Sequence, residues 1–299
     1  MTALPRLLAA LLFSLLAGLA HAGGGAPAPT PQEIEQREAG EAADRAALTG
    51  PAEVKLVDQA TLALPAAYAF VPQPEAGRLL RAHGGTPTAD LVGVVLPAGE
   101  GSWIAILRWV GSGYVRDDDA RSWNADELLA SLKAGTEEAN RDRTARGFPA
   151  LEVKGWVERP AYDAARQRLV WSALVTRKDG PSSESVNYNT YALGRQGYLS
   201  LNLISSSATI AADKAHAHAL LSAIAYAPGK RYEEFDPSAD RVAAYGLAAL
   251  VGGAAAKKLG LFATLGVLVA KFGKVIALGA VALVGGLYGL LRRRRSSEA

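Results

Sequence analysis

The stretch SVNYNTYALGRQGYLSLNLI, residues 185–204, decides the fold of this 299-residue chain. Ser185–Leu193 and Tyr198–Ile204 are rich in β-branched, aromatic and alternating apolar residues, which is the pattern of strands with one buried face. The four residues between them, Gly194–Gly197, begin and end with glycine and are typical of a turn. The stretch therefore predicts an antiparallel β-hairpin.

Strand-like segments continue on both sides of this hairpin. Leu151–Glu158 and Arg168–Arg177 precede it, and Lys178-Asp179-Gly180 provides a turn into it. Four consecutive strands joined by turns predict an antiparallel meander. Nearer the N-terminus the sequence predicts further strands: two short ones within Glu53–Leu64 about Asp58-Gln59, then Leu91–Leu96 and Trp103–Val110.

Helical patterns lie between these groups of strands. The clearest begins after Asn124, because Glu127 stands three residues later, the spacing of a capping box, and Gly147 is a candidate C-cap. Other helices are predicted over Glu33–Leu48 (exposed), Pro74–His83 and Ala208–Tyr226, with a last strand over Arg231–Asp236. Strands grouped with strands, and helices between the groups, predict an α+β fold: a curved antiparallel sheet flanked by helices.

The first 22 residues carry an export pattern. Arg6 precedes the apolar run Leu7–Leu19, and Ala20-His21-Ala22 places small residues where signal peptidase cuts. We therefore predict a signal peptide over residues 1–22, followed by a leader with its helix over 23–50 and an α+β domain over 51–240. The alternative is an uncleaved N-terminal anchor, although the apolar run is short for a membrane span.

The chain ends with the pattern of a membrane anchor. Val275–Leu291 is apolar throughout and would be about 26 Å long as a helix, and Arg292, Arg293, Arg294 and Arg295 follow it directly. Arginines directly after a span favour the cytoplasmic side. The sequence predicts a C-terminal transmembrane helix over 275–291, a cytoplasmic basic tail over 292–299 and an exported main domain.

Residues 241–274, between domain and anchor, allow two interpretations. They are apolar, but Lys257-Lys258 divides them, and burying both lysines near the bilayer midplane would be costly. A second crossing would also move the terminal arginines outside. We interpret the segment as a juxtamembrane helix at the interface, with a helical hairpin in the bilayer as the alternative.

Small residues recur at regular spacing near the C-terminus: Gly246, Gly253 and Gly260, then Gly285 and Gly289. Small helix faces allow close helix packing in lipid, so this pattern indicates self-association. The alternative is an apolar helix that is simply rich in alanine and glycine.

Composition excludes several classes of site and partner. The chain contains no cysteine, so its fold depends on no disulfide and no thiolate metal site. The formal net charge is +3, but nine cations and one anion lie in the N-terminal signal and the C-terminal apolar region with its tail, which leaves −5 on the exported part. A mildly acidic exported part argues against nucleic acid as a partner.

Asp117, Asp118 and Asp119 form the most suggestive polar cluster. Carboxylates in a loop could hold calcium or a cationic ligand. The spacing fails the EF-hand pattern, since no glycine stands six residues into the loop and position twelve is Leu128. The alternative is a solvated turn ahead of a helix N-terminus, where the helix dipole favours acidic residues.

A second candidate ligand surface lies on the quoted hairpin. Along a strand, Tyr188 and Thr190 share one face, while Asn187, Asn189 and Tyr191 share the other. Such a face could bind a glycan or a peptide by stacking and hydrogen bonding. An ordinary half-exposed pair of strands is the alternative.

Catalytic signals are weak in this sequence. It contains no H-E-x-x-H, G-x-S-x-G or G-x-x-x-x-G-K-[ST] motif. His216 and His218 stand two apart on a predicted exposed helix and point to different faces, which is poor geometry for a metal pair. The sequence assigns no catalytic residue, no metal and no cofactor.

Several longer motifs resemble one bacterial protein family. They are GYVRDDDA at 113–120, WNADELL at 123–129, WVERPAYD at 156–163, LVWS at 169–172, NYNTYALGR at 187–195 and AAYGLAAL at 243–250. On these residues the chain resembles domain of unknown function family 2167, described as predicted membrane-anchored bacterial proteins, from about Glu53 to the C-terminus. The resemblance implies an inner-membrane location and supplies neither an activity nor catalytic residues. The order of strands and helices is also similar to the Mog1/PsbP-like sandwich, a binding and assembly fold.

Three functional hypotheses follow from these patterns. The first is a non-enzymatic periplasmic binding or scaffold module on a single-pass anchor, with an envelope protein or a glycan as its partner and possible self-association into a homo-oligomer. The second is a periplasmic hydrolase or metal-dependent enzyme that uses Asp117–Asp119 with His83. The third is a membrane-active oligomer that acts through the glycine-rich C-terminal helices.

Overall fold

The computed structural model describes residues 28–179 and 184–252. The predicted signal peptide, the transmembrane helix over 275–291 with Arg292–Arg295, and most of the predicted juxtamembrane helix lie outside these residues. Within the two described ranges, no helix is both long and apolar enough to cross a membrane.

The strands fall into a large sheet and a small one. In chain order they are β1 (Leu48–Thr49), β2 (Ala52–Leu56), β3 (Ala60–Leu64), β4 (Tyr68–Pro72), β5 (Leu91–Pro97), β6 (Ile104–Val110), β7 (Leu151–Asp163), β8 (Arg168–Arg177), β9 (Ser185–Gly194), β10 (Gly197–Ser206) and β11 (Ile224–Tyr226). The main sheet has the order β1-β4-β5-β6-β10-β9-β8-β7, and the small sheet has the order β11-β3-β2. All neighbouring strands are antiparallel. The predicted meander of β7 to β10 is therefore confirmed.

The helices lie beside the sheets, as an α+β fold requires. They are α1 (Pro31–Ala46), α2 (Glu75–Ala82), α3 (Ala125–Ala145) and α4 (Ile210–Ser222), with short 3₁₀ turns at Asp118–Arg121 and Tyr232–Glu234. The predicted class, a large antiparallel sheet flanked by helices, is confirmed.

The front face of the main sheet, defined by Leu199, Leu201 and Leu203 of β10, carries the first core. These three leucines are almost fully buried together with residues of α4 and the small sheet. Side chains alternate along a strand, so the intervening residues of β10 point to the opposite face. The front face is therefore closed by α4 and by the small sheet.

The back face, defined by Ile106 of β6, Asn202 of β10 and Trp171 of β8, is covered in two halves. Cross-strand register places these three residues on one side of the sheet. One half packs against α1 and α2. The other half packs against α3 and against residues 241–252, which we call the C-terminal segment.

The N-terminal helix α1 forms as predicted, but it is not free in solvent. Thr30 and Glu33 form a capping box at its start. Ala39 and Ala43 are fully buried, and Arg78 of α2 reaches Glu35 at 2.8 Å. The helix is packed and not exposed because a stripe of small side chains lets α1 lie directly on the domain.

The end of α4 and the segment after it also differ from the prediction. The expected helix over Ala208–Tyr226 ends at Ser222, and Ile224–Tyr226 pairs with β3 as an edge strand. Arg231–Asp236, expected to be a strand, contains a 3₁₀ turn and a single bridge between Arg231 and Gly194. Pairing with a distant strand overrode the local helix preference of an alanine-rich sequence.

The long helix α3 agrees with its predicted caps. The side chain of Asn124 accepts hydrogen bonds from the backbone N–H groups of Asp126 and Glu127, and Gly147 has a φ of +79° just beyond the helix. Further along, the amide of Asn140 donates to Leu151 O and accepts from Leu151 N, both at 2.8 Å. These bonds fix α3 against the start of β7.

Candidate functional site

The C-terminal segment joins the domain through a short parallel bridge to Tyr114. The backbone N–H of Tyr114 donates to Arg241 O at 2.8 Å, and that of Ala243 donates to Tyr114 O at 2.8 Å. Gly113 beside the bridge has a φ of +92°, and a Cβ there would lie 2.4 Å from Arg241 O. Glycine is therefore needed where the two chain segments cross.

A carboxylate from the acidic loop caps the helix that begins in this segment. Asp119 Oδ1 accepts from the N–H of Leu247 and Oδ2 accepts from the N–H of Ala248, each at 3.0 Å. Residues 248–252 are helical. A carboxylate at this position satisfies backbone donors that the helix itself cannot pair, and it lies at the positive end of the helix dipole.

The same segment inserts apolar side chains into the back-face core. Leu247 is 0% exposed, Leu250 6% and Val251 1%, in one cluster with Val115 and Trp171. Full burial of one such side chain contributes about 1.5–3 kcal/mol. The C-terminal segment is therefore part of the domain core, and the predicted domain boundary at residue 240 does not coincide with the end of the packed structure.

Tyr191 of the predicted hairpin face holds the helix from the other side. Its hydroxyl donates to Leu250 O at 2.9 Å. Burial raises the pKa of Tyr191, so the phenol stays neutral and remains a donor at physiological pH. Asp119 and Tyr191, 72 residues apart in sequence, thus bind the two ends of the same helical turn.

The chain is guided into this site by an aromatic stack and an ion pair. The ring of Tyr114 stacks on Phe235 at 3.9 Å and on Tyr232 at 4.3 Å between centroids. Arg195 Nε lies 2.6 Å from Asp240 Oδ2, and this hydrogen bond lowers the pKa of Asp240. Both contacts precede the bridge at Tyr114, so they fix the direction in which the C-terminal segment approaches.

Comparison with known protein families identifies the family of this chain. The sequence model described as "Protein of unknown function (DUF2167)" matches residues 48–283, well over half of the chain. The chain belongs to the DUF2167 family. The match includes the acidic loop, the hairpin and the C-terminal segment, and it confirms the resemblance drawn from the sequence motifs.

Other comparisons add little to the DUF2167 assignment. No curated protein matches the sequence. The solution structure of cyanobacterial PsbP (CyanoP) from Synechocystis sp. PCC 6803 is similar at 8% identity, covering 60% of this chain and 91% of that chain, with a TM-score of 0.37. A TM-score this low carries no argument, so the Mog1/PsbP-like sandwich stays a prediction.

The three aspartates of the DUF2167 acidic loop have different surroundings. Asp119 uses both carboxylate oxygens on the C-terminal segment. Asp118 is exposed, and Asp117 is partly buried beside Tyr162 in a cleft of about 370 Å³. Within residues 28–179 and 184–252, no group of three or more acidic, histidine or cysteine side chains is arranged to hold a metal ion. The dipole interpretation of the loop applies to Asp119, but the helix is the C-terminal one and not α3.

The predicted hairpin surface is divided between the two faces of the sheet as expected. Tyr188 points to the front face, is 1% exposed and bonds His218 Nε2 through its hydroxyl at 3.2 Å. Asn189, on the back face, is also buried, and its neighbour Asn187 is partly exposed. The rings of Tyr188 and Tyr191 are therefore engaged inside the domain and do not form an open stacking surface.

The acidic loop and His83 lie far apart. The loop precedes the N-terminus of α3, whereas Gly84, next to His83, accepts a hydrogen bond from Arg143 near the other end of α3. A helix of 21 residues is about 32 Å long. The structure does not bring the acidic loop and His83 into one pocket.

The prediction of an exposed helix is correct for His218 but not for His216. His216 is partly buried: its ring stacks on Trp103 at 5.0 Å and its Nδ1 bonds Tyr68 Oη at 3.0 Å. His218 lies beside an open groove of about 780 Å³ together with Arg168 and Asp163. Asp163 is paired with Arg166 at 2.8 Å, and Arg168 donates to Leu221 O at 3.0 Å. Nothing in the local sequence indicated the contacts of the two histidines, since Tyr68, Trp103 and Tyr188 are distant from them in the sequence.

Proposed function

We propose that this DUF2167 protein is a non-enzymatic binding or scaffold module of the bacterial envelope, held at the inner membrane in a fixed orientation. The proposal places the domain in the periplasm and the basic tail in the cytoplasm, with one transmembrane helix over 275–291. The sequence patterns of the two chain ends support this topology.

One structural observation carries the proposal. The chain that leads toward the predicted anchor leaves the domain as a helix whose first turn is capped by Asp119 and buried through Leu247 and Val251. A flexible tether would need a polar, glycine- or proline-rich linker between domain and anchor. A helix that starts inside the core favours a role in which the orientation of the domain relative to the membrane matters.

The placement of the ionisable residues favours binding over catalysis. Asp117–Asp119 and His83 lie at opposite ends of α3. In the groove that holds His218, the nearby Asp163 is paired with Arg166, and this hydrogen bond lowers the pKa of the Asp163 carboxyl group. A general acid or base needs its partner within hydrogen-bonding reach. The groups that the hydrolase hypothesis requires are therefore separate.

The topology can be tested with cysteine labelling, because the natural chain has no cysteine. Glu100→Cys lies in an exposed loop of the domain, and Glu298→Cys lies in the predicted tail. In spheroplasts, a membrane-impermeant maleimide should label the first variant directly and the second only after permeabilisation. Labelling of both variants in intact spheroplasts would favour the helical hairpin. Release of the protein from membranes by a carbonate wash would contradict the prediction of a transmembrane anchor.

Partner binding can be tested by cross-linking in intact cells followed by purification of the full-length protein. We expect a stoichiometric envelope partner or glycan. A double variant, Asp117→Asn with Asp118→Asn, would test the part of the acidic loop that does not bind the C-terminal segment. These changes leave the Asp119 cap in place. Recovery of the protein alone from both forms would contradict a stable-partner function.

A further inference from the structure

A groove of about 350 Å³ opens beside the turn that joins β9 and β10. It is lined by Gln59 of the turn between β2 and β3, by Trp109 of β6 and by Gln196 of the β9–β10 turn, together with Asp240 and Arg241. Its volume is at the lower end of the range of about 300–1,000 Å³ that is usual for small-molecule sites. The size of the groove therefore suits a small ligand.

The groove lies at the opposite end of the sheet from the last described residue. Gly252 lies beside Leu151, at the start of β7, where β8 leads into β9. The groove lies at the other end of β9, which has ten residues and is therefore about 33 Å long. The walls of the groove are built from loops and turns within the two described ranges.

Two glutamine side chains in this groove are bonded to each other. Gln59 Nε2 donates to Asp58 Oδ1 at 2.8 Å and to Gln196 Oε1 at 3.3 Å. Lys230 Nζ donates to the same Gln196 oxygen at 2.8 Å. Reversal of either amide would place like groups together, so these contacts fix which way both amides point.

This arrangement leaves one acceptor and one donor unused. Gln59 is 4% exposed, and its Oε1 accepts no hydrogen bond from any described residue. Gln196 is exposed, and its Nε2 has no acceptor within residues 28–179 and 184–252. Buried polar atoms are nearly always paired in folded proteins, so Gln59 Oε1 at the floor of the groove needs a donor that the described domain does not supply.

Trp109 provides an apolar surface next to these amides. Cross-strand register pairs it with Leu199, so its partly buried ring lies on the front face, where it meets Tyr226 edge to face at 6.3 Å between centroids. A Cβ added to Gly111 would meet only Trp109 Nε1, at 3.6 Å. Glycine therefore leaves this edge of the indole ring uncovered.

The charged side chains that line the groove are already engaged. Arg195 Nε lies 2.6 Å from Asp240 Oδ2, and Arg241 Nη2 donates to Gly111 O at 2.6 Å. The groove thus offers no carboxylate without a cation beside it. Its unused groups are neutral amides and an aromatic ring, which suit a neutral ligand that forms hydrogen bonds.

We propose that this groove binds a neutral sugar, with the sugar ring against Trp109 and neighbouring hydroxyl groups on Gln59 and Gln196. A sugar has an apolar C–H face, and each of its hydroxyl groups can both donate and accept a hydrogen bond. The only strand in the groove, β6, is paired on both sides by β5 and β10, so no strand edge is open to a peptide backbone. The inference rests on the proposed function as a binding module and assigns a glycan as its ligand.

Saturation-transfer NMR of the full-length protein tests this site, in a detergent that has no sugar headgroup. The probes are three neutral disaccharides: maltose, cellobiose and diacetylchitobiose. Each is titrated to about 10 mM, tenfold above a weak dissociation constant of about 1 mM. We expect at least one disaccharide to bind saturably.

Two pairs of variants locate the binding. Gly111→Leu places a side chain over the groove and should weaken binding roughly tenfold or more by steric exclusion. Gly99→Leu is its control, because Gly99 is exposed with open space around it in the loop at the other end of β6. Gln196→Ala removes one hydrogen bond and should weaken binding roughly fivefold. Gln32→Ala, at an exposed position of α1, should bind like the natural protein. Melting temperatures show that each variant is folded.

Three results would overturn the sugar site. They are no saturable binding of any disaccharide, equal affinities of Gly111→Leu and Gly99→Leu, and saturable binding of a neutral blocked tripeptide in place of the disaccharides. If cross-linking in cells recovered an envelope protein alongside any of these results, the binding-module function would stand and only the sugar site would be wrong.

Discussion

The helices at the two ends of the described domain both pack on the back face of the sheet, but they are attached by different means. The N-terminal helix α1 lies on α2 through two buried alanines and through exposed pairs of Arg78 with Glu35 and Glu38. The C-terminal segment contributes Leu247 and Val251 to the core. Exposed ion pairs contribute little to stability, whereas buried side chains of this size contribute strongly.

The difference indicates what each end does for the molecule. The removal of α1 would take only small side chains, those of Ala39 and Ala43, out of the core, while the removal of the C-terminal segment would take Leu247, Leu250 and Val251 out of the core around Trp171. The segment that leads toward the predicted anchor is therefore the one that the fold depends on. Four substitutions test this contrast, from the largest expected effect to the smallest.

Leu247→Ala should give the largest loss of stability. The side chain is 0% exposed, and truncation of a buried leucine typically costs about 2–5 kcal/mol because it leaves a cavity. Urea unfolding of the full-length protein in detergent, followed by tryptophan fluorescence, would measure the change. Val242→Ala is the control in the same segment, because Val242 is 37% exposed. Equal effects of the two changes would mean that Leu247 is not in the core.

Asp119→Ala should have the next largest effect. It removes the acceptor for the N–H groups of Leu247 and Ala248, and loss of a helix N-cap costs about 1–2 kcal/mol. Asp119→Asn should retain most of the stability, since an amide oxygen can also cap. Asp118→Ala, at an exposed neighbour, should unfold like the natural protein. If Asp118→Ala and Asp119→Ala were equally destabilising, the capping role would be wrong.

Tyr191→Phe should have a smaller effect. The change deletes the hydrogen bond to Leu250 O and keeps the ring, so a loss of about 1 kcal/mol is expected. The loss of stability in the double variant with Asp119→Ala should differ from the sum of the two single losses, because both residues hold one helical turn. Strict additivity in this double-mutant cycle would show that the two contacts act independently.

Arg78→Gln should have the smallest effect at neutral pH. The hydrogen bond from Arg78 lowers the pKa of Glu35. A carboxyl group with a lowered pKa in the folded protein stabilises it above the ordinary glutamate pKa, and this stabilisation is lost as the pH falls through the lowered value. We therefore expect the two proteins to converge in melting temperature in acid. A difference that grows below pH 4 would contradict this assignment.

The sequence predicted local structure well and long-range structure less well. The hairpin about Gly194–Gly197, the N-cap at Asn124 and the meander followed from neighbouring residues, whose chemistry determines turns and caps directly. The strand at Ile224–Tyr226 was missed because its partner is β3, far away in the sequence.

The candidate site shows the same limit. The dipole argument assigned the acidic loop to the N-terminus of the helix that follows it, whereas Asp119 caps a helix whose first bound N–H group, that of Leu247, lies 128 residues later. Tyr191 was selected for its polar and aromatic character, and its actual partner is the carbonyl of Leu250. Residue type indicated that these side chains would make specific contacts, but only the folded chain determines which contacts they make.

Hydrogen exchange of residues 241–252 in the full-length protein tests most directly whether the C-terminal segment belongs to the domain. If it does, the amides of Leu247 and Ala248 should be protected to a degree comparable with the central strands, because they open only when the core opens. Asp119→Ala should remove this protection while β9 and β10 keep theirs. Exchange of residues 241–252 as fast as that of an unstructured peptide, in the natural protein, would contradict the central claim.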